Sequence, residues 1–86
     1  MFEYNIVKEI GVISETNNSS KELNLISFNG REPKYDVRSW TVKDGKKTMG
    51  KGITLTKEEA IKLREFLQTI WIEKLLLIKR SFFVDF

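Results

Sequence analysis

Residues 34–60, KYDVRSWTVKDGKKTMGKGITLTKEEA, decide the fold of this 86-residue chain. Tyr35 and Val37 alternate with polar or charged residues, as expected of a strand with one apolar face. The sequence KDGK then predicts a turn, and residues 51–55 predict a short second strand. Residues 56–59 form a capping box, in which a Thr hydroxyl and a Glu carboxylate bind the free amides of a helix start. The stretch therefore predicts a β-hairpin followed by a helix.

The residues before this stretch predict two further strands. Residues 2–14 indicate a strand, since even positions through Val12 are apolar apart from Lys8. Polar residues then predict a turn, and residues 21–28 indicate a second strand. Asn29-Gly30 is a strong hairpin signal. We therefore expect an α+β fold in which a four-stranded antiparallel β-sheet precedes one C-terminal α-helix.

The predicted helix carries more apolar surface than one sheet can cover. One stripe is expected to cover the sheet, formed by Ala60, Leu63, Leu67, Ile70 and Trp71. Beyond Ile70 the helix is apolar nearly all round, and a second copy of the chain is the simplest cover for the other side. We therefore expect one domain, residues 1–80, that forms a homodimer through the C-terminal helix. The alternative is that the hydrophobic tail, residues 81–86, folds back on the helix.

The composition narrows the chemistry. The chain has no Cys and no His, which excludes disulfides, thiolate and imidazole metal ligands, and the usual general base. Residues 45–51 fit the start of a nucleotide-binding phosphate loop, but Gly52 replaces its magnesium-binding Ser/Thr and a strand follows instead of a helix. We expect a non-enzymatic protein with no cofactor and no small-molecule substrate. A cytoplasmic location without membrane association is expected, since no secretory signal or membrane-spanning run is present.

Positive charge is concentrated in the deciding stretch. Residues 34–57 hold seven Lys/Arg against two Asp/Glu, whereas residues 1–33 hold three against five and residues 58–86 hold five against five. Such a segment forms either a solvated loop or a phosphate-binding surface.

Strand alternation favours the binding surface. It predicts that one face of the sheet stays open to water, with these side chains projecting from it: Phe28, Lys34, Arg38, Trp40 and the Gly-flanked Lys51. Aromatic and basic side chains together suit single-stranded nucleic acid, whose unpaired bases stack at about 1–3 kcal/mol each. Gly50 and Gly52 would let a phosphate approach the backbone. The alternatives are a core position for Trp40 and a bulge or sharp turn at the two glycines.

Three motifs resemble the single-stranded-DNA-binding domain of the positive cofactor four transcriptional coactivators, especially their small bacterial relatives. They are KELNLISFNG, KYDVRSW and MGKGITLTKEEAIKLREFL, and the resemblance runs from about Asn5 to Gln68. It implies a homodimer joined largely through its helices, with single strands lying across the sheets of both subunits. The DNA contacts it implies are Phe28, Arg38, Trp40 and Lys51, with Lys34 as a looser match.

Residues and resemblance together lead to one functional hypothesis. We expect a homodimer that binds single-stranded DNA with little sequence preference, RNA being a second candidate, in transcription, replication or repair. The alternative is a protein-interaction module of a transcription complex that uses the basic face and the apolar helix.

Overall fold

The computed structural model describes residues 2–84, with side chains described as far as Lys74. Its elements are β1 (Tyr4–Glu15), β2 (Ser19–Phe28), β3 (Lys34–Lys43), β4 (Lys46–Leu55) and α1 (Lys57–Val84). The strands form one antiparallel sheet in the order β1-β2-β3-β4. The predicted α+β architecture is confirmed, and β4 is longer than predicted because it begins at Lys46 rather than at residue 51.

Two tight turns direct the sheet. Asn29 and Gly30 have φ values of 52° and 71°, and Asp44 and Gly45 have φ values of 55° and 73°. Two consecutive residues with positive φ match the twist of antiparallel strands, and Asn, Asp and Gly adopt this conformation most readily. Because Gly45 lies in the second turn and β4 follows at once, the segment that resembles a phosphate loop forms a hairpin.

The sheet has two distinct faces. The inner face is formed by alternate residues of β2 and β3, namely Glu22, Asn24, Ile26, Phe28, Asp36, Arg38 and Trp40. The outer face is formed by the intervening residues and their β4 partners, namely Leu23, Leu25, Tyr35, Val37, Ile53 and Leu55. Register shifts at three points between β1 and β2, and at one point between β3 and β4, bend the strands and increase their twist.

Pairing and ring contacts show how strongly the sheet coils. Tyr4 pairs with Phe28 at one end of β2, and Trp40 pairs with Ser20 near the other end. The eight residue steps from Ser20 to Phe28 would span about 27 Å in an extended strand. The ring centroids of Tyr4 and Trp40 nevertheless lie 5.8 Å apart. The corner of the sheet that carries Tyr4 and Phe28 is therefore folded over the inner face.

The inner face consequently forms the core. Ile26 and Asp36 are fully buried, and Trp40 is only 1% exposed. The prediction of a face open to water, with Trp40 projecting from it, is therefore wrong, and the alternative of a core position for Trp40 is confirmed. Alternation along β3 identifies which residues share a face but not what covers them. Coiling of the sheet supplies that cover.

Helix α1 lies beside the outer face without sealing it. Its first turns and the sheet are the walls of an apolar groove of about 640 Å³. Four members of the predicted covering stripe are between 41% and 63% exposed, namely Leu63, Leu67, Ile70 and Trp71. The prediction that this stripe covers the sheet is therefore wrong for a single chain, because only the first turns of the helix approach the strands.

The helix begins as predicted and extends far along the chain. The backbone N–H of Thr56 donates to Oε1 of Glu59 at 2.8 Å, and the N–H of Glu59 donates to Oγ1 of Thr56 at 3.1 Å, which completes the capping box. Residues 81–84 continue the helix, so a tail folding back is wrong for them, and residues 85–86 lie outside the described part. No helix in the described part combines the length and hydropathy that crossing a bilayer requires.

Candidate nucleic-acid interface

Arg38 is held rigidly by Asp36 on the same strand. Its Nε donates to Oδ1 of Asp36 at 2.6 Å and its Nη2 to Oδ2 at 2.7 Å, while its Nη1 donates to the carbonyl of Gly50 at 3.1 Å. Thr54 donates a further hydrogen bond to Asp36 at 3.0 Å. The hydrogen bonds to Asp36 raise the pKa of Arg38 above its ordinary value, so the guanidinium stays charged. Asp36 is therefore the residue that orients the arginine.

The space beside Gly52 is filled by Arg38. Gly52 is the β4 partner of Arg38, and a Cβ atom at Gly52 would lie 1.9 Å from Cβ of Arg38. Only a glycine lets the arginine side chain cross β4 at this point. The bulge alternative also applies here, because the register between β3 and β4 shifts next to this pair. Phosphate approach to the backbone at Gly52 stays a prediction.

An aromatic cluster lies at the corner of the inner face. The guanidinium carbon of Arg38 is 5.8 Å from the ring centroid of Phe28, a cation–π distance. The ring of Phe2 lies 6.0 Å from that of Phe28 and 6.2 Å from that of Tyr4. Phe2 is 62% exposed and Tyr4 is 39% exposed. Phe2 and Tyr4 were not predicted as site residues. Their even positions nevertheless place them on one face, and Tyr4 pairs with Phe28.

Trp40 lies behind this cluster. Tyr4 covers it on one side, and Nζ of Lys47 lies 5.2 Å from the centroid of one of its rings. Its indole N–H has no hydrogen-bond partner among the described residues. A ring that is almost fully buried cannot offer a face to a base, so the exposed aromatic platform expected at Trp40 is absent from this structure.

Lys47 is itself tied to a buried carboxylate. Its Nζ lies 2.9 Å from the carboxylate of Glu22, which is only slightly exposed. Burial on its own raises the pKa of Glu22, but hydrogen bonds from Ser20, Lys47 and Asn24 outweigh burial and lower it below its ordinary value. The positive charge of Lys47 therefore serves mainly to neutralise Glu22 inside the fold.

Lys34 lies at the same end of the sheet as Phe28. It begins β3 opposite Ile26 and is exposed. Hydrogen bonds within the capping box, first from the backbone and then from the hydroxyl of Thr56, lower the pKa of Glu59, and the charge of Lys34 lowers it further. An exposed lysine between the aromatic corner and the helix start is therefore available to a phosphate.

Lys51 lies beside the bulge in β4, toward the outer side of the sheet. The ladder is irregular here, because Arg38 pairs with Gly52 while Gly50 and Lys51 share one position opposite β3. The extra residue of such a bulge shifts the alternation of faces. Lys51, Gly52 and Arg38 border one shallow depression of about 410 Å³ together with Lys21 and neighbouring outer-face residues. A contact of Lys51 with nucleic acid beside Arg38 stays a prediction.

The structure thus brings together only some of the predicted site residues. Phe28 and Arg38 are in contact, and Lys34 lies at the same end of the sheet. Trp40 supports the cluster from within, and Lys51 borders a shallow depression that Arg38 also lines.

Comparison with known proteins gives two findings. The family described as Transcriptional Coactivator p15 (PC4) matches residues 16–66. An uncharacterised protein of Treponema pallidum (strain Nichols) is 41% identical over 73 residues, which cover 84% of this chain and 84% of that protein. The matched segment contains β2, β3, β4 and the first turns of α1, and it ends before most of the exposed helix.

Proposed function

The chain belongs to the Transcriptional Coactivator p15 (PC4) family, and from this premise we propose that it binds single-stranded DNA with little sequence preference. The family is known for single-stranded DNA binding and transcription coactivation and not for enzymatic activity. One observation supports the proposal most directly. The partly exposed ring of Phe28 lies against the guanidinium of Arg38 at the open corner of the inner face. We propose RNA as a second ligand and the cytoplasm as the place of action.

Binding at this corner combines stacking with charge. A base stacks on Phe28, because every unpaired base presents an apolar face. Duplex DNA hides these faces, so the same corner distinguishes single from double strands. Because Asp36 already neutralises much of the charge of Arg38, the arginine contributes more to orienting the ligand than to neutralising its phosphates.

Phosphate neutralisation falls mainly to exposed lysines. Lys34 lies at the corner itself, while Lys51 lies on the outer side of β4. Because β4 is an edge strand, a polynucleotide that crosses the inner face from the corner past Arg38 to β4 can pass round this edge and reach Lys51. Lys51 and Gly52 then act at the exit of the path, where Gly52 also keeps Arg38 in place.

We propose that the protein works as a homodimer. The outer groove is apolar and open, and the helix beside it exposes Leu63 and Leu67 to solvent. Further along the same helix, Ile70 and Trp71 are still more exposed. A second copy of α1 suits the groove because it carries the same exposed apolar residues. One two-fold interface would then bury both the groove and the apolar face of the helix.

The interaction-module alternative relies on the same exposed helix. It predicts that the helix binds a different protein and that the basic residues meet an acidic partner. It predicts no preference for unpaired strands, so binding to oligonucleotides separates the two functions.

The test is a titration of labelled oligo-dT and of a duplex of equal length at two salt concentrations. We expect oligo-dT to bind more tightly, with log K falling by about 0.7 per neutralised phosphate for each unit of log salt. Equal affinity for both oligonucleotides would contradict the proposal. Leu67→Glu, which places a charge in the groove, is expected to yield monomers in sedimentation, and an unchanged dimer would contradict the proposed interface.

A further inference from the structure

We propose that Phe2, which precedes β1, and Tyr4, which begins it, form with Phe28 the surface on which unpaired bases stack. This inference rests on the proposed single-strand binding and names where the bases lie. Both residues precede the segment that the family matches, which begins at residue 16. The proposed stacking surface is therefore largely a property of the start of this chain, residues 2–4.

The geometry of the three rings supports this assignment. The rings follow one another at 6.0 Å and 6.2 Å, with interplanar angles of 34° and 38°. Phe2 is the most exposed of them, at 62%. Three large aromatic rings at one exposed corner leave apolar surface in contact with water, which is unfavourable unless a ligand covers it. A strip of flat rings is suited to flat ligands that arrive in series, as the bases of a single strand do.

The rings are fixed in place before any ligand arrives. The backbone N–H of Glu3 donates to Oδ1 of Asn29 at 2.9 Å, and the N–H of Asn29 donates to the carbonyl of Glu3 at 2.8 Å. These two bonds hold the start of β1 against the turn after β2 and keep Phe2 beside Phe28. A pre-formed surface loses little conformational entropy on binding.

Trp40 explains why Tyr4 stays in position. The buried indole lies 5.8 Å from the Tyr4 ring at 52°, and it supports that ring from below. Trp40 therefore contributes to stacking through Tyr4 and is a positioning residue. Its substitution affects binding because the surface above it shifts.

The surroundings favour a polynucleotide over an apolar partner. The guanidinium of Arg38 lies over Phe28, and the exposed Lys34 lies at the same end of the sheet. Bases and phosphates occur together along a nucleic acid strand, so rings flanked by cations match both parts of it. An apolar protein surface would leave these cations without partners.

The test compares oligo-dT with an abasic oligonucleotide of the same length, which keeps the phosphates but lacks the bases. The double variant F2A/Y4A is expected to bind oligo-dT at least tenfold more weakly. Its affinity for the abasic strand and its salt dependence are expected to match those of the unsubstituted protein. Val12→Ala, an exposed apolar residue at the other end of β1, is the matched control and is expected to change neither affinity.

Each outcome decides between the claims. If the unsubstituted protein prefers oligo-dT over duplex and F2A/Y4A keeps its full affinity, the stacking surface is refuted while the proposed function stands. If F2A/Y4A loses affinity for oligo-dT and for the abasic oligonucleotide equally, a loss of phosphate contacts or of folding is responsible, and the inference is again refuted. F2W/Y4W, which keeps flat rings, is expected to retain binding, and its failure would also overturn the proposal. If the unsubstituted protein shows no preference for oligo-dT, the proposed function itself fails.

Discussion

Gly52 on β4 lies so close to Arg38 on β3 that a Cβ atom at Gly52 would stand 1.9 Å from Cβ of the arginine. The Cβ atom added at Gly52 would also lie 2.4 Å from the carbonyl oxygen of Val37, so the backbone of β3 leaves no room for it either. The glycine, the arginine and its Asp36 partner therefore form one structural unit that joins β3 to the edge strand β4.

Gly52→Ala is expected to destabilise the protein by about 1–3 kcal/mol or more, because the added methyl group must displace β3. Chemical denaturation measures the change in the free energy of unfolding. Gly11→Ala is the matched control, since a Cβ at Gly11 meets nothing within 4 Å. Similar stability of the two variants would contradict the close contact.

Asp36→Asn is expected to reduce the free energy of unfolding by about 3–5 kcal/mol, because it leaves the largely buried Arg38 charge without its carboxylate. The Arg38 side chain is only 14% exposed. Glu65→Gln provides the control, because the Lys62–Glu65 pair is exposed and loosely joined at 3.7 Å. That control is expected to change stability by less than about 1 kcal/mol, and an equal loss in both variants would refute a special role for the inner pair.

Acid is expected to weaken the fold through Glu22. The folded-state pKa of Glu22 lies below its value of 4.5 in the unfolded chain, so this group contributes stability above that pH and loses it as the pH falls through the folded pKa. In a series of thermal unfolding measurements from neutral pH downwards, the melting temperature is expected to decrease once the pH falls below 4.5. Glu22→Gln is expected to flatten that part of the profile, and an unchanged profile would show that the Lys47–Glu22 pair contributes nothing.

The fluorescence of Trp71 is expected to report the proposed dimer. Trp71 is 63% exposed in the single chain, whereas Trp40 is buried. In a Trp40→Phe variant, the remaining emission is expected to shift to shorter wavelength as protein concentration rises and helices associate. In the Trp71→Phe variant, emission is expected to stay at short wavelength at every concentration. Emission from Trp71 that ignores concentration across the range where sedimentation detects dimers would place the interface elsewhere.

Local signals predicted most of the fold. Alternation, two turn pairs with Gly and a capping box are properties of neighbouring residues, and they gave the order and type of all five elements. Coiling of the sheet depends on bulges and on contacts between distant strands, which alternation does not encode. For this reason the environment of Trp40 was predicted wrongly although its face was assigned correctly.

The site was predicted only where it depends on one strand. Alternation along β3 was enough to include Arg38 in the site, whereas the aromatic corner joins the start of β1 to the end of β2. The position of Lys51 depends on a bulge that shifts the register by one residue. Long-range register is thus the information that the sequence alone did not supply.

Photo-cross-linking tests the central claim most directly. Oligo-dT that carries 5-iodouracil is irradiated with the protein, and the attached peptides are identified by mass spectrometry. The account predicts cross-links at Phe28 and at the Phe2–Tyr4 segment, where rings are exposed beside Arg38. Cross-links confined to Phe66 or Trp71 on α1 would contradict it, because they would place the single strand on the helix instead of the corner of the sheet.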